Sequence, residues 1–217
     1  IASESFNRPE ILLWVDRIRE RFRPQAGDLV ALLLPCSARK PYSTSKTHRK
    51  ILSIIGRRGF LHDIIITSPL GAVPRELEGV YPAANYDVPV TGHWSHEEVE
   101  RSASLVYDII MKGNYRSVIG YLPEGYDLVG ERLREMGVDF MNFDDLSDLS
   151  AHIDNIQVDS PPGISWTVHR AISLMRFIYN LVISPDRVSV KKRYVIIDDE
   201  RAFRIGDYWS HLIPEPY

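Results

Sequence analysis

LVALLLPCSARKPYSTSKTH, residues 29–48, is the stretch whose reading decides the fold. Its first six residues are apolar without interruption, where a strand with one wet face would alternate. They read as a strand over 29–34, buried on both faces of a parallel sheet. Pro35 ends the run, and Ser45 stands as the N-cap of a helix predicted over 45–57. A thiol, a lysine, a phenol, hydroxyls and an imidazole therefore crowd into one strand-to-helix turn. That turn lies at the sheet edge where open α/β folds place their ligands.

The same alternation extends outward on both sides. Upstream, Pro9 opens a helix over 9–22 with Ile11, Leu12, Val15, Ile18 and Phe22 on one face. Downstream come a strand over 63–67, a Gly- and Pro-bearing loop over 68–85 and a short strand over 86–90. A helix follows that opens on Ser95 and Glu98, spaced as a capping box, and runs toward Met111. A fourth strand is predicted over 117–122, a helix over 125–136 stopped by Gly137, and a fifth strand over 138–142. Strands and helices joined this closely predict an α/β fold, a three-layer α/β/α sandwich around a short parallel sheet with right-handed crossovers. Polar residues with Pro161 and Pro162 mark a boundary over 154–163. The division gives a core domain over 1–155 and an extension over 156–217. In the extension, a helix over 165–183 precedes a β-hairpin of strands 188–197 and 202–205, turning at 198–200. So small a tail has no core of its own, and either packs on the first domain or begins a further module.

Composition bounds the function. The 217 residues are 44% apolar, enough for a packed core, and a net charge of −3 neither indicates nor excludes a nucleic acid partner. The single cysteine, Cys36, rules out an internal disulfide framework and fits a reducing compartment. No apolar run approaches the about 20 residues that cross a bilayer, and no charged-then-apolar leader opens the chain. A cytoplasmic protein with no membrane partner is the expectation. The chain opens on Ile1 rather than Met, which points to a segment of a longer protein. One cysteine and no HxxxH or HxxE pattern predict no metal site and no cofactor.

Four predicted strands are each followed by an unusual loop: PCSARKPYSTS (35–45), SPLGAVPRELEGVYP (68–82), TGHW (91–94) and LPEGY (122–126). All four open at the carboxyl edge of the sheet. Turn-making alone accounts for any one of them, whereas four together, carrying Cys, Lys, Tyr, Arg, Glu, His and Trp, predict a ligand site. Backbone amides near Ser45 and the charge of Lys40 suit a phosphate or carboxylate. Cys36, beside Lys40 and a helix N-terminus, is either a nucleophile or a packed thiol, and with His48 it makes a thiol and base pair only if the fold brings the two together. Arg75 has the planar fork that pairs with an anion, and Glu76 or Glu78 suits an amine, the alternative being a salt-bridged surface turn. Tyr81, Tyr86 and Trp94 supply faces that stack an unpaired base or fill the core, and Asp87 accepts from the two N–H groups of a guanine-like edge.

The order Pro35, Cys36, three residues, Lys40, Pro41, Tyr42, two residues, Ser45, two residues, His48 resembles the signature of the archaeosine synthase family. SPLGAVPRELE (68–78) and VYPAANYDVPVTG (80–92) resemble its second block. A composite pattern this long is specific, and the likeness spans about 7–142. It implies a core related in fold to uracil-DNA glycosylases. It also implies action on the nitrile of 7-cyano-7-deazaguanine at position 15 of archaeal tRNA, with lysine or another amine as donor, and in some lineages a radical enzyme as partner. Carried over, the catalytic set is Cys36, Lys40, Tyr42 and His48. The substrate-binding set is Ser37, Ser45, Ser68, Arg75, Glu76, Tyr86, Asp87, Thr91 and Trp94. The resemblance casts Cys36 as the sulfur of a thioimidate, His48 or Tyr42 as proton carriers, and Glu76 as the holder of the donor ammonium. Family members usually carry a transglycosylase-like domain upstream and an RNA-binding PUA module downstream, neither of which is visible in these residues. A separate RNA-binding subunit is one consequence. Two other functions remain open: a noncatalytic subunit that binds tRNA or deazaguanine, and a base-excising glycosylase, the latter on fold kinship alone.

Overall fold

All seven residues of the first strand are buried, as a doubly covered parallel strand requires. A computed structural model of the chain describes residues 3–24, 29–56, 58–86, 93–157, 166–181, 183–191 and 194–197. Among these the strands are β1 (Leu29–Pro35), β2 (Leu61–Thr67), β3 (Gly71–Pro74), β4 (Tyr115–Gly120), β5 (Phe140–Asn142), β6 (Val188–Lys191) and β7 (Tyr194–Ile197). The helices are α1 (Pro9–Glu20), α2 (Lys46–Ile55), α3 (His96–Lys112), α4 (Asp127–Glu135), α5 (Leu146–Asp154) and α6 (Trp166–Tyr179).

The main sheet has the order β3-β2-β1-β4-β5. β1 pairs in parallel with both β2 and β4, β4 pairs in parallel with β5, and β3 returns antiparallel along β2. Period-two alternation splits β1 between two cores. Val30, Leu32 and Leu34 meet Ile51 and Ile55 of α2 and Leu149 and Ile153 of α5. Ala31 and Leu33 belong to the larger cluster with Trp14 and Ile18 of α1, Val106 and Ile109 of α3, and Val129 and Leu133 of α4. The result is three layers, helix on sheet on helix, as the strand and helix alternation predicts. Burying each such Leu or Ile contributes about 1.5–3 kcal/mol.

Local chemistry sets the helix ends. Ser95 caps α3 in a complete capping box, with its side chain accepting from the Glu98 N–H and the Glu98 carboxylate accepting from the Ser95 N–H. Gly137 follows α4 with φ of 90°, the left-handed turn that a β-carbon would oppose.

Three readings of the sequence need correction. The third strand is 71–74, inside the segment read as a loop, while Tyr86 lies outside any strand and the rest of the predicted 86–90 falls outside the described residues. β3 is an edge strand of four residues ending on Pro74, and an edge is where a proline is tolerated in a sheet. Helix α5 was not predicted, although Asp145 caps it by accepting from the Ser147 and Asp148 amides, and Leu146, Leu149 and Ile153 share its buried face. The segment 188–197, read as one strand, holds both strands of the small hairpin, since β6 pairs with β7 through Val188↔Ile197 and Lys191↔Tyr194. The predicted turn at 198–200 and strand at 202–205 lie outside the described residues.

Helix α6 packs on the main core. Phe177 of α6 meets Trp14 edge-on at 5.0 Å between ring centroids, and Arg21 Nη1 donates to the Phe177 carbonyl at 3.2 Å. On its other side, α6 presents Ala171, Ile172 and Met175 to Ile183 and Val188. One helix is thus shared between the main core and the hairpin.

A candidate active site at the β1–β4 switch point

β1 is flanked by β2 on one side and β4 on the other, so the crossovers diverge at its carboxyl end, and the crevice there is where doubly wound sheets bind ligands. Cys36 is the first residue past β1 and is partly buried. Its sulfur lies 2.9 Å from the Tyr126 hydroxyl, which arrives from the loop after β4. Trp94, just ahead of α3, meets the Tyr126 ring edge-on at 5.1 Å. Lys40 Nζ sits 3.8 Å above the Tyr86 ring. The Tyr86 hydroxyl is 2.7 Å from that of Tyr42 and also bonds the Thr67 hydroxyl at the end of β2. Thr67 hydrogen-bonds the Cys36 thiol in turn. Cys36, Lys40, Tyr42, Tyr86 and Trp94 are therefore gathered at one end of the sheet, together with Thr67 and Tyr126. The sequence reading had not placed either of the last two. Tyr126 closes the LPEGY loop, and its position after a predicted strand was the available signal.

Burial pushes the Cys36 thiol up, against hydrogen bonds from Tyr126 and Thr67 and the charge of Lys40, so the sulfur rests protonated. Burial likewise raises Tyr42, Tyr86 and Tyr126, which makes all three neutral O–H groups. Ser68, one residue past Thr67, has a buried hydroxyl without a hydrogen-bond partner among the described residues. A buried hydroxyl in that state calls for an explanation, and a ligand group is one.

The remaining predicted residues sit behind this edge. His48 is fully buried. Its Nε2 is 2.9 Å from the Pro35 carbonyl and its Nδ1 2.9 Å from Arg75 Nη2. A carbonyl only accepts and a guanidinium only donates, so the ring carries its proton on Nε2 and is neutral. Burial and the neighbouring Arg75 lower its pKa from 6.5 to about 3. Both ring nitrogens are engaged, and what His48 holds is the carbonyl immediately before Cys36. Arg75 donates Nε to Asp63 and Nη1 to Glu78, each at 3.0 Å, besides its bond to His48, so its fork is spent on protein groups. Glu78 also accepts the Ser43 amide at 2.9 Å and so bolts the first loop down. The Ser45 hydroxyl accepts the His48 amide as the helix cap, and the Ser45 amide goes to the Tyr42 carbonyl. Ser37 donates to the Arg39 carbonyl and shapes the turn. Glu76 lies in the interior with Oε2 3.0 Å from His62 Nε2 and Oε1 2.9 Å from His169 Nε2. It ties α6 to the sheet. Asp87 and Thr91 lie outside the described residues.

The two buried titrating groups predict acid sensitivity of one sign. Below about 6.5 the unfolded chain protonates His48, which the folded chain refuses until about 3. Burial opposes ionisation of Glu76, but the pull of His62 and hydrogen bonds from His169 and His62 prevail and hold its carboxyl well below the usual range. In both cases the unfolded state binds the extra proton, so stability is complete above pH about 6.5 and falls on acidification by up to about 1.4 kcal/mol per pH unit for each group. Urea midpoints measured between neutrality and mild acid will decline steadily. A flat profile across the ordinary histidine range would contradict a neutral, buried His48.

Among the described residues no three His, Cys, Asp or Glu side chains are grouped to hold a metal ion, and no helix is long and apolar enough to cross a membrane.

A family model described as a domain of unknown function, DUF5591, matches residues 11–158, which contain every element of the main sheet and the edge just described. The chain belongs to this family, and the matched region is the one it shares with proteins named archaeosine synthase. The archaeosine synthase subunit alpha of Methanosarcina acetivorans is 47% identical over 140 residues, 64% of this chain and 22% of that protein. The subunit alpha of Thermoplasma acidophilum is 40% identical over 131 residues, covering 60% of this chain and 26% of that one. The archaeosine synthase of Haloferax volcanii is 40% identical over 135 residues, covering 62% and 23%. The chain spans about a quarter or less of the length of these relatives. Among solved structures, AF0587, a protein of unknown function, superposes with a TM-score of 0.62 at 28% identity, covering 88% of this chain and 66% of that one.

Proposed function

We propose that this chain is the nitrile-handling core of an archaeosine synthase, adding an amine, lysine by family likeness, to 7-cyano-7-deazaguanine at position 15 of tRNA. The observation that carries it is the meeting of Cys36, Lys40, Tyr86 and Tyr126 at the switch point of a domain shared with proteins named archaeosine synthase. In this reading the Cys36 sulfur adds to the nitrile carbon and its proton goes to the nitrile nitrogen, giving a thioimidate. The donor amine then attacks the same carbon, the C–S bond breaks, and the thiol regains a proton as the amidine leaves. No oxidant or reductant enters.

Neutral phenols at Tyr42 and Tyr86 supply hydrogen bonds along the route, and Ser68 has an unused hydroxyl for the base. Tyr86 and Trp94 line the ring's faces. We assign His48, Arg75 and Glu76 to positioning, because each is bonded to protein groups at every polar atom of its working end. The division into a core over 1–155 and an extension over 156–217 is part of the proposal, with α6 as the hinge of contact between them. The tRNA-binding surface then comes largely from elsewhere in the longer relatives or from a partner, and the reaction runs in the reducing cytoplasm.

Incubation with lysine and tRNA bearing the cyano base, followed by nucleoside mass spectrometry, tests this. A nucleoside heavier by one lysine supports it. Binding with no change of mass supports instead a noncatalytic tRNA- or deazaguanine-binding subunit, the reading favoured by the small share of the relatives that the chain spans. An abasic product would indicate a glycosylase.

A further inference from the structure

We propose that Tyr126 activates Cys36: its phenolic hydrogen is held against the sulfur so that charge developing there as the thiol reacts is met by a donor already in place. The inference rests on the reading of Cys36 as nucleophile, and gives a role to a residue that the sequence places in the LPEGY loop but assigns none.

The placement of Tyr126 is built in. Gly125, with φ of 89°, turns the chain back after β4 in a conformation closed to residues with a β-carbon, and the Tyr126 amide is tied to the Pro123 carbonyl at 2.9 Å. The ring is buried and braced edge-on by Trp94. A buried phenol ordinarily takes a good acceptor for its O–H. Here the partner is Cys36 Sγ at 2.9 Å, a weak acceptor as a thiol and a strong one as a thiolate. The contact is thus poor in the resting state and strong in the reactive one, the differential that lowers a barrier. Among the described residues, the groups that act on the sulfur are the phenols of Tyr126, Tyr86 and Tyr42, the Thr67 hydroxyl and the Lys40 ammonium. Of these, Lys40 alone brings positive charge and Tyr126 alone a phenol directly on the sulfur. No atom is transferred by Tyr126; the thiol proton still ends on the nitrile nitrogen.

Cys36 is the single cysteine, so alkylation by iodoacetamide, followed by intact mass against pH, reads its thiolate with no tRNA present. Tyr126→Phe removes the oxygen and keeps the ring on Trp94. A hydrogen bond to a charged group is among the strong ones, so the alkylation midpoint moves up by about one pH unit or more and the rate near neutrality drops about tenfold. A profile that superimposes on the wild type overturns the proposal. Should Tyr126→Phe fail to fold, 3-fluorotyrosine at position 126, a more acidic phenol of nearly the same size, moves the midpoint down; no movement overturns the proposal equally. A shifted profile together with unmodified tRNA would keep the Cys36–Tyr126 link and remove the function proposed above, so the two readings fail separately.

Discussion

Cys36→Ala reduces addition of lysine to the cyano base by about a thousandfold or more, roughly 4 kcal/mol of barrier, while leaving the fold intact. Cys36 sits just past β1, partly exposed, with a single side-chain atom beyond its β-carbon and side-chain hydrogen bonds, among the described residues, to Tyr126 and Thr67. Removing that atom opens little volume, so the thermal midpoint hardly moves. The chemistry loses the covalent route altogether, because no other thiol exists in the chain. Cys36→Ser separates the two parts of the argument. It keeps a hydroxyl beside Tyr126 but replaces a polarisable sulfur with an oxygen nucleophile that is far harder to ionise, so turnover stays close to the alanine level. Single-turnover nucleoside mass spectrometry measures both variants. Full turnover by Cys36→Ala would mean that the amine attacks the nitrile directly.

Glu76→Ala destabilises the chain by about 2–6 kcal/mol, since each of two buried N–H donors left without its acceptor costs about 1–3 kcal/mol. Glu76 is 1% exposed. Its two oxygens are shared between His62, whose other ring nitrogen bonds the Tyr115 hydroxyl, and His169 of α6. Without the carboxylate, two buried imidazoles lose their acceptor at once. Since His169 belongs to α6, the damage is directional: amide exchange rises most over Trp166–Tyr179, where Phe177 on Trp14 and the Arg21 contact to its carbonyl remain to hold the helix. Urea unfolding measures the first quantity and hydrogen exchange the second. A loss below about 1 kcal/mol would mean that this cluster is not what anchors the extension.

The sequence was most readable where local rules act alone. The uninterrupted apolar run of β1, the Ser95 and Glu98 capping box, the Ser45 cap and the stop at Gly137 each depend on residues within one turn of one another, and each is found as expected. It was least readable where a state depends on a distant partner. GAVP becomes β3 only because β2 offers it a free edge, and without that partner its Gly and Pro read as loop. α5 was missed although its cap and apolar spacing were on the page, because the polar run DDLSD masked them.

The same division runs through the candidate site. Residue types and their crowding after β1, β2 and β4 were legible from the chain itself, because strand ends in a parallel sheet share one edge. Which of those polar groups face a ligand was not. Arg75, Glu76 and His48 look like binding residues in sequence, and their buried partners, Asp63 and Glu78, His62 and His169, and the Pro35 carbonyl, absorb them. From the sequence alone came the class of fold and the edge of the sheet at which Cys36 stands, both consequences of periodicity and order along the chain. Tertiary structure decided that Tyr126 and Thr67 flank that sulfur and that α6 is pinned through Glu76, because a side chain's role follows from what packing places within hydrogen-bond reach, and packing joins residues as far apart as 76 and 169.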